Sequence, residues 1–130
     1  EVLQFKETES NLGLSSIVAY SNDMHTNTRA ASAGAIYDVT TVSLTDLLDQ
    51  HSAPSRIDYI SIDTEGAELP VLQTFDFSRY QVDIFTIEHN YETVPRTAIY
   101  DIMTEQGYHR VFTDLSQYDD WYIHSRLMSQ

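Results

Sequence analysis

Residues 59–72, Y-I-S-I-D-T-E-G-A-E-L-P-V-L, join an apolar run to a short acidic segment. The run Ile57–Ile62 places apolar side chains on both faces, which is typical of a parallel strand covered by helices on each side. Three carboxylates follow it within six positions: Asp63, Glu65 and Glu68. Gly66 allows a sharp turn, and a helix is predicted to begin near Ala67, with Pro70 tolerated in its first turn. The stretch therefore predicts a strand, a tight turn and a helix of an α/β fold.

Alternating and 3–4-spaced apolar residues predict the remaining elements. The further predicted strands are Val2–Lys6, Ser16–Tyr20, Ile36–Val42, Val82–Ile87, Tyr108–Thr113 and Trp121–His124. Ser43 is predicted to cap one helix, and Thr93 is predicted to cap another that stops at Gly107. Residues 21–34 are predicted to form a long loop, because they have no periodicity and many small polar side chains.

The predicted order from residue 36 onward is β-α-β-α-β-α-β-β, which indicates an α/β fold with one mostly parallel sheet and an antiparallel C-terminal hairpin. We expect a single domain over residues 1–130, with strands and the loop in 1–35 and the alternating core in 36–124. A chain of 130 residues is long enough for one domain with its own core.

The composition excludes several classes of function. There are 20 acidic and 7 basic residues, a net charge of −13, so this acidic protein would repel a nucleic-acid backbone. The chain has no cysteine, which excludes disulfides, thiolate metal sites and a cysteine nucleophile. No apolar run approaches the roughly 20 residues of a membrane span, and no signal peptide is visible at the start. We expect a cytoplasmic protein that binds neither membrane nor nucleic acid.

Polar side chains follow two neighbouring predicted strands. Asp63 and Glu65 follow the first, and Glu88 and His89 follow the second. Ligands of open α/β sheets bind at the carboxyl ends of such strands, so we expect these side chains to share one crevice. Acids brought together repel one another unless a proton, a cation or a positively charged substrate joins them.

Other interpretations of these residues remain open. Asp63 suits a turn, Glu68 suits the positive end of a helix, Glu88 could pair with Arg110, and His89 could be a surface histidine. The D-x-E spacing is a weak metal signal, and we assign no metal site.

The segment I-D-Y-I-S-I-D-T-E-G-A-E-L-P-V-L, residues 57–72, resembles the FkbM-type methyltransferase family, whose members carry D-x-E-G-x-E after an apolar strand and before a helix. The likeness extends to V-T-T-V-S-L-T-D-L-L (39–48), V-D-I-F-T-I-E-H-N (82–90) and E-Q-G-Y-H-R-V (105–111). It covers roughly residues 37–124 of the sequence.

The resemblance implies methyl transfer that depends on S-adenosylmethionine (SAM), usually to a hydroxyl group, on a Rossmann-like sheet. It implies catalytic roles for Asp63, Glu88 and His89, and donor contacts by Asp63, Glu65 and Gly66. The acceptor would be a small molecule or a glycan that carries a hydroxyl group. A hydroxyl acceptor benefits from a base, and His89 or Asp63 could take its proton.

The sequence departs from the family in one respect. The family's glycine-rich donor loop and its ribose-binding acid precede the matched region, so this chain resembles the C-terminal half of a methyltransferase, lacking the first strands of the full fold. We expect such a fragment to bind SAM poorly and to be inactive on its own. The run Ile57–Ile62 would then have an open edge, for which we expect pairing in a homodimer.

Two other functions fit parts of the sequence. A non-enzymatic α/β remnant or interaction module would need no site at all. A metal-dependent exonuclease of the DEDD type is similar in I-D-T-E-G and in the H-x-x-x-x-D spacing of His109 to Asp114. The acidity of the chain opposes the exonuclease, because its substrate is a polyanion.

Overall fold

The structure is a computed structural model that describes residues 1–8, 15–20 and 34–128. The chain divides into two compact units. The first comprises Glu1–Val42 and Thr64–Ala67, and the second comprises Ser43–Asp63 and Glu68–Gln130. The loop predicted over residues 21–34 lies, apart from Gly34, outside the described residues. No helix in these ranges has the length and apolar character that a membrane span requires.

The first unit contains a three-stranded antiparallel sheet. Its strands are β1 (Val2–Lys6), β2 (Ser16–Ile17) and β3 (Ile36–Thr40), in the order β2-β1-β3. The prediction of a strand through Tyr20 was wrong, because Val18–Tyr20 form a 3-10 helix.

The placement of β3 corrects the predicted single sheet. The β-α-β-α-β-α-β-β order along the chain is confirmed, but its first strand, β3, pairs with β1 rather than with the later strands. The antiparallel ladder runs over five residues, and the rings of Phe5 and Tyr37 face each other across it at 5.6 Å. Alternating apolar residues specify a strand but not its partner, and a complete ladder with aromatic cross-strand contacts decides the pairing.

The second unit contains a four-stranded mixed sheet and all four α-helices of the described residues. The strands are β4 (Arg56–Ile62), β5 (Gln81–Glu88), β6 (Tyr108–Val111) and β7 (Asp119–His124), in the order β4-β5-β7-β6. The helices are α1 (Leu44–Gln50), α2 (Glu68–Thr74), α3 (Thr93–Glu105) and α4 (Ser125–Met128).

The antiparallel C-terminal hairpin is confirmed, but the expectation of a mostly parallel sheet was wrong. Only β4 and β5 pair in parallel, whereas β7 is antiparallel to both β5 and β6. The hairpin inserts its second strand beside β5, so that two of the three ladders become antiparallel. As expected, β4 is an edge strand of this sheet. The homodimer remains a prediction.

Buried apolar side chains form the core of the second unit. They come from the strands, from α2 and α3, and from the segment between α2 and β5: Ile62, Leu72, Phe75, Tyr80, Val82, Phe85, Ile87, Ile99, Met103, Tyr108 and Tyr122. Phe85 lies at the centre, with ring centroids of Phe75 and Tyr108 at 6.0 and 5.4 Å. Tyr59 lies in the edge strand β4, and half of its surface (50%) is exposed.

Two predicted helix caps have different outcomes. The Ser43 side chain accepts a hydrogen bond from the Asp46 N–H at 3.1 Å, which confirms the first cap. The second was wrong, since Glu92 occupies the N-cap of α3 without a side-chain hydrogen bond and Thr93 is the first helical residue. Gly107 follows the end of α3 with φ of +83°, the left-handed conformation that ends a helix readily at glycine.

Candidate functional site

The carboxyl ends of β4 and β5 bring two of the predicted site residues together. The parallel register pairs Ile62 with Ile87, so the next residues, Asp63 and Glu88, leave the sheet at the same edge. Each offers a carboxylate oxygen within 4.8 Å of the other. The predicted proximity of these two side chains is confirmed, and their catalytic roles remain predictions. At this distance two ionised carboxylates repel each other, so the pair favours a cationic partner.

A third acid extends the negative charge across the sheet. Glu88 is opposite Asp119 of β7 in the antiparallel ladder. The alternative that Glu88 pairs with Arg110 is wrong, because the Arg110 guanidinium binds Asp120 instead, with Nη1 at 3.4 Å from Oδ2. Like charges opposite each other in a ladder are destabilising, so this part of the sheet edge is not optimised for stability alone.

The turn after β4 has an unusual backbone. Glu65 and Gly66 lie in Thr64–Ala67, which belongs to the first unit, and have φ of +56° and +114°. The conformation suits glycine but costs about 1–2 kcal/mol at Glu65. Backbone strain of this kind is concentrated at ligand-binding sites. The donor contacts assigned to the two residues remain predictions.

Glu68 has the role of a helix-start acid. It is the first residue of α2 and is buried, with 7% of its surface exposed. A carboxylate there interacts favourably with the helix dipole, so the interpretation that placed Glu68 outside the site agrees with the structure.

His89 is buried rather than a surface histidine. Its Nδ1 accepts a hydrogen bond from the Tyr91 N–H at 2.9 Å, so the neutral ring carries its proton on Nε2. That nitrogen lies 3.8 Å from Oδ1 of Asp120. Since Nδ1 already accepts one hydrogen bond and Nε2 carries the proton, the neutral His89 ring has no further acceptor nitrogen.

Sequence reasoning missed a buried cluster of charged residues behind His89. Only 3% of the Asp120 side chain is exposed. Arg96 binds it with two bonds, as Nε donates to Oδ2 and Nη2 donates to Oδ1, both at 2.8 Å. Burial alone would raise the pKa of Asp120, but the hydrogen bonds and charge of Arg96 hold it below its usual value. The cluster fixes the start of α3 to β7 and places Asp120 opposite the His89 ring.

A row of hydroxyl groups lies beside the acid pair. The Tyr59 hydroxyl and Thr86 Oγ1 are 2.6 Å apart, and Thr86 donates to Ser61 Oγ at 3.0 Å. Ser61 and Thr86 are opposite each other in the ladder, two residues before Asp63 and Glu88, so all four share one face of the sheet. Trp121 lies next to Thr86 on this face, with its ring 6.5 Å from that of Tyr59.

The burial of His89 predicts a pH dependence of stability. Burial, with the nearby charge of Arg96, lowers the pKa of His89 from its usual value of 6.5. The unfolded chain therefore binds more protons than the folded protein once the pH falls below 6.5, so stability that is complete above this pH is lost as the pH falls towards the lower pKa of the folded state. Urea unfolding across this range measures the loss.

His89→Asn is the matched variant, because asparagine keeps an acceptor for the Tyr91 N–H but does not titrate. We expect the variant to lose less stability on acidification than the wild type. His124, whose pKa is also lowered by burial, contributes equally to both proteins. Identical pH profiles would contradict the buried, neutral state of His89.

Comparison with known proteins found one family match. The model of the methyltransferase FkbM domain family matches residues 5–110 of the chain, which include β4, α2, β5 and α3. No curated protein sequence and no solved structure matched the chain.

Proposed function

The chain belongs to the FkbM methyltransferase family, and from this premise we propose that it takes part in SAM-dependent methyl transfer to a hydroxyl oxygen of a small-molecule or glycan acceptor. The observation that carries the proposal is the pair formed by Asp63 and Glu88 at the carboxyl ends of β4 and β5. Ligands of α/β sheets bind at this edge, and an acid pair favours a positively charged group.

The residues of the chain fit a sulfonium donor and a hydroxyl acceptor. When bound, SAM would supply a methyl group attached to a positively charged sulfur. The sulfur is the leaving group and keeps the electron pair of the broken carbon–sulfur bond. Asp63 is exposed, and we propose that its carboxylate takes the hydroxyl proton as the acceptor oxygen bonds to the methyl carbon. Glu88 adds negative charge beside it, and His89 has a positioning role through its bond to the Tyr91 N–H.

The hydroxyl row supports a polyhydroxylated acceptor. Tyr59 and Ser61 are exposed and can donate and accept hydrogen bonds, the buried Thr86 hydroxyl links them, and the Trp121 ring beside them offers an apolar surface. Hydroxyl groups and an aromatic ring on one face suit a sugar-like molecule, which has both polar edges and apolar faces.

We further propose that donor binding by this chain is weak. The 130-residue sequence contains no G-x-G motif, the usual means of bringing backbone close to a nucleotide. Glu65 and Gly66 both have positive φ, and a backbone turn of this kind supports the donor contacts proposed for these two residues. We therefore propose that methyl transfer by this chain alone is slow, rather than absent as the likeness to half of a methyltransferase implied.

NMR titration with SAM tests the proposal. We expect weak, saturable shifts centred on the amides of Asp63 and Glu88, and weaker binding of S-adenosylhomocysteine, which lacks the sulfonium charge. A separate titration with Mn²⁺ covers the exonuclease alternative. Tight Mn²⁺ binding at these amides without SAM binding would favour a metal-dependent enzyme, and the absence of both would favour an interaction module.

A further inference from the structure

We propose that Arg96 and Arg110 form a binding site for an anionic group, a phosphate or a carboxylate, in a cavity of about 310 Å³ at the start of α3. The cavity is lined by Tyr91, Thr93, Arg96, Thr97, Tyr100 and Arg110. None of these six described residues is acidic, although the whole chain has a net charge of −13. Two of the seven basic residues of this acidic protein, Arg96 and Arg110, thus line the same cavity.

The first observation is a surplus of positive charge. Asp120 is the carboxylate that both arginines contact, and Arg96 alone satisfies it with two bonds of 2.8 Å. Arg110 adds only one long bond of 3.4 Å to the same carboxylate. His89, the other neighbour of Asp120, is favoured in its neutral form because burial lowers its pKa. Two positive charges therefore face one negative charge.

The second observation is the number of hydrogen-bond donors that remain available. A guanidinium group has five N–H donors. In the described part of the chain, Nε and Nη2 of Arg110 and Nη1 of Arg96 form no hydrogen bond. About a third of each side chain is exposed, 31% for Arg110 and 32% for Arg96, so a small anion can reach these donors. Free guanidinium edges bind carboxylate and phosphate oxygens in pairs.

The third observation is that the Arg110 group is held in place. Its central carbon lies 4.9 Å from the centroid of the Tyr100 ring, which restrains the guanidinium plane without using its donors. The long bond to Asp120 restrains the same group from another side. A donor set fixed before the ligand arrives binds with a smaller loss of conformational entropy.

The helix adds to the same field. α3 has 13 residues and begins at Thr93. The positive end of the helix dipole lies beside Thr93 and Arg96, which both line the cavity. The field of the helix and the two arginines all favour an anion.

The position of the cavity suggests what the anion belongs to. Asp120, which both arginines bind, is also 3.8 Å from His89, the residue directly after Glu88 of the acid pair. We infer that an anionic substituent of the methyl acceptor occupies the cavity, an assignment that rests on the proposed function. Anion binding itself does not rest on it and can be measured without any donor.

NMR titration with inorganic phosphate, at constant ionic strength maintained with sodium chloride, tests the site. We expect saturable shifts of the Thr93 and Thr97 amides and of the Tyr91 and Tyr100 rings. Arg110→Gln should bind phosphate about tenfold more weakly, because a charged donor pair is lost while the Arg96–Asp120 bonds remain. Acetate in place of phosphate distinguishes a carboxylate site from a phosphate site.

Arg79→Gln is the matched control. Arg79 is also exposed and paired with a single carboxylate, Asp49 at 2.7 Å, but it does not line the cavity. The Arg79→Gln variant should bind phosphate with the affinity of the wild type. If Arg110→Gln does not fold, Arg110→Lys, which keeps the charge but not the paired donors, should bind more weakly than the wild type. Shifts spread over the surface, or equal affinity of wild type and Arg110 variants, would overturn the proposal, whereas failure of methyl transfer with intact phosphate binding would overturn only the proposed function.

Discussion

Replacement of Asp63 by asparagine is expected to lower methyl transfer about 100-fold, the usual contribution of a positioned base. The same change should leave the fold intact or stabilise it by about 0.5 kcal/mol, because it removes one of two carboxylates whose oxygens lie within 4.8 Å. If Asp63 instead stabilised the fold, its replacement by asparagine would lower the stability of the protein. Transfer rates at saturating acceptor, together with urea unfolding, measure both effects.

Asp58→Asn is the control for this prediction. Asp58 is an exposed aspartate on the same strand, β4, but on the face opposite to Asp63, since side chains alternate along a strand. The Asp58→Asn variant should change neither the rate of methyl transfer nor the preference for SAM over S-adenosylhomocysteine. Asp63→Asn should reduce that preference, because the sulfonium loses a negative neighbour. Equal preference in the two variants, or unchanged transfer by Asp63→Asn, would contradict the role of Asp63.

The meeting of Asp63 and Glu88 was predictable from the sequence because it depends on local patterns. Two apolar runs, each followed by acids and separated by one helix, indicate parallel neighbours whose carboxyl ends coincide. The ladder from Arg56–Gln81 to Ile62–Ile87 has this register. Periodicity and the chemistry of strand ends therefore determined the centre of the candidate site.

The surroundings of this pair were not predictable in the same way. The pairing of β3 with β1 joins distant parts of the chain, and no local pattern distinguishes it from pairing with β4. The charged cluster depends on β7 lying between β5 and β6, which turns Asp120 towards Arg96. Because a hairpin can dock with either strand inward, its sequence alone does not reveal which aspartate is buried. The same uncertainty concealed the burial of His89.

Replacement of Asp120 by asparagine is expected to destabilise the fold by about 3 kcal/mol, the cost of leaving partly buried charges without their partner. Arg96 would lose its two bonds of 2.8 Å, and Arg110 would lose its only carboxylate contact among the described residues. With a chain of this size, the melting temperature should fall by roughly 10 °C. Urea unfolding at pH 7 and calorimetry measure the two quantities.

The pH dependence separates this effect from a simple packing defect. The pKa of Asp120 is held below its usual value of 3.8, so its contribution is complete above that pH and is lost as the pH falls through the lower value of the folded state. The difference in stability between wild type and variant should therefore narrow at pH 3. Asp101→Asn, on the exposed surface of α3, should change stability by less than about 0.5 kcal/mol at either pH. A difference that stays constant with pH would show that the shape of the side chain, and not its charge, holds α3 against β7.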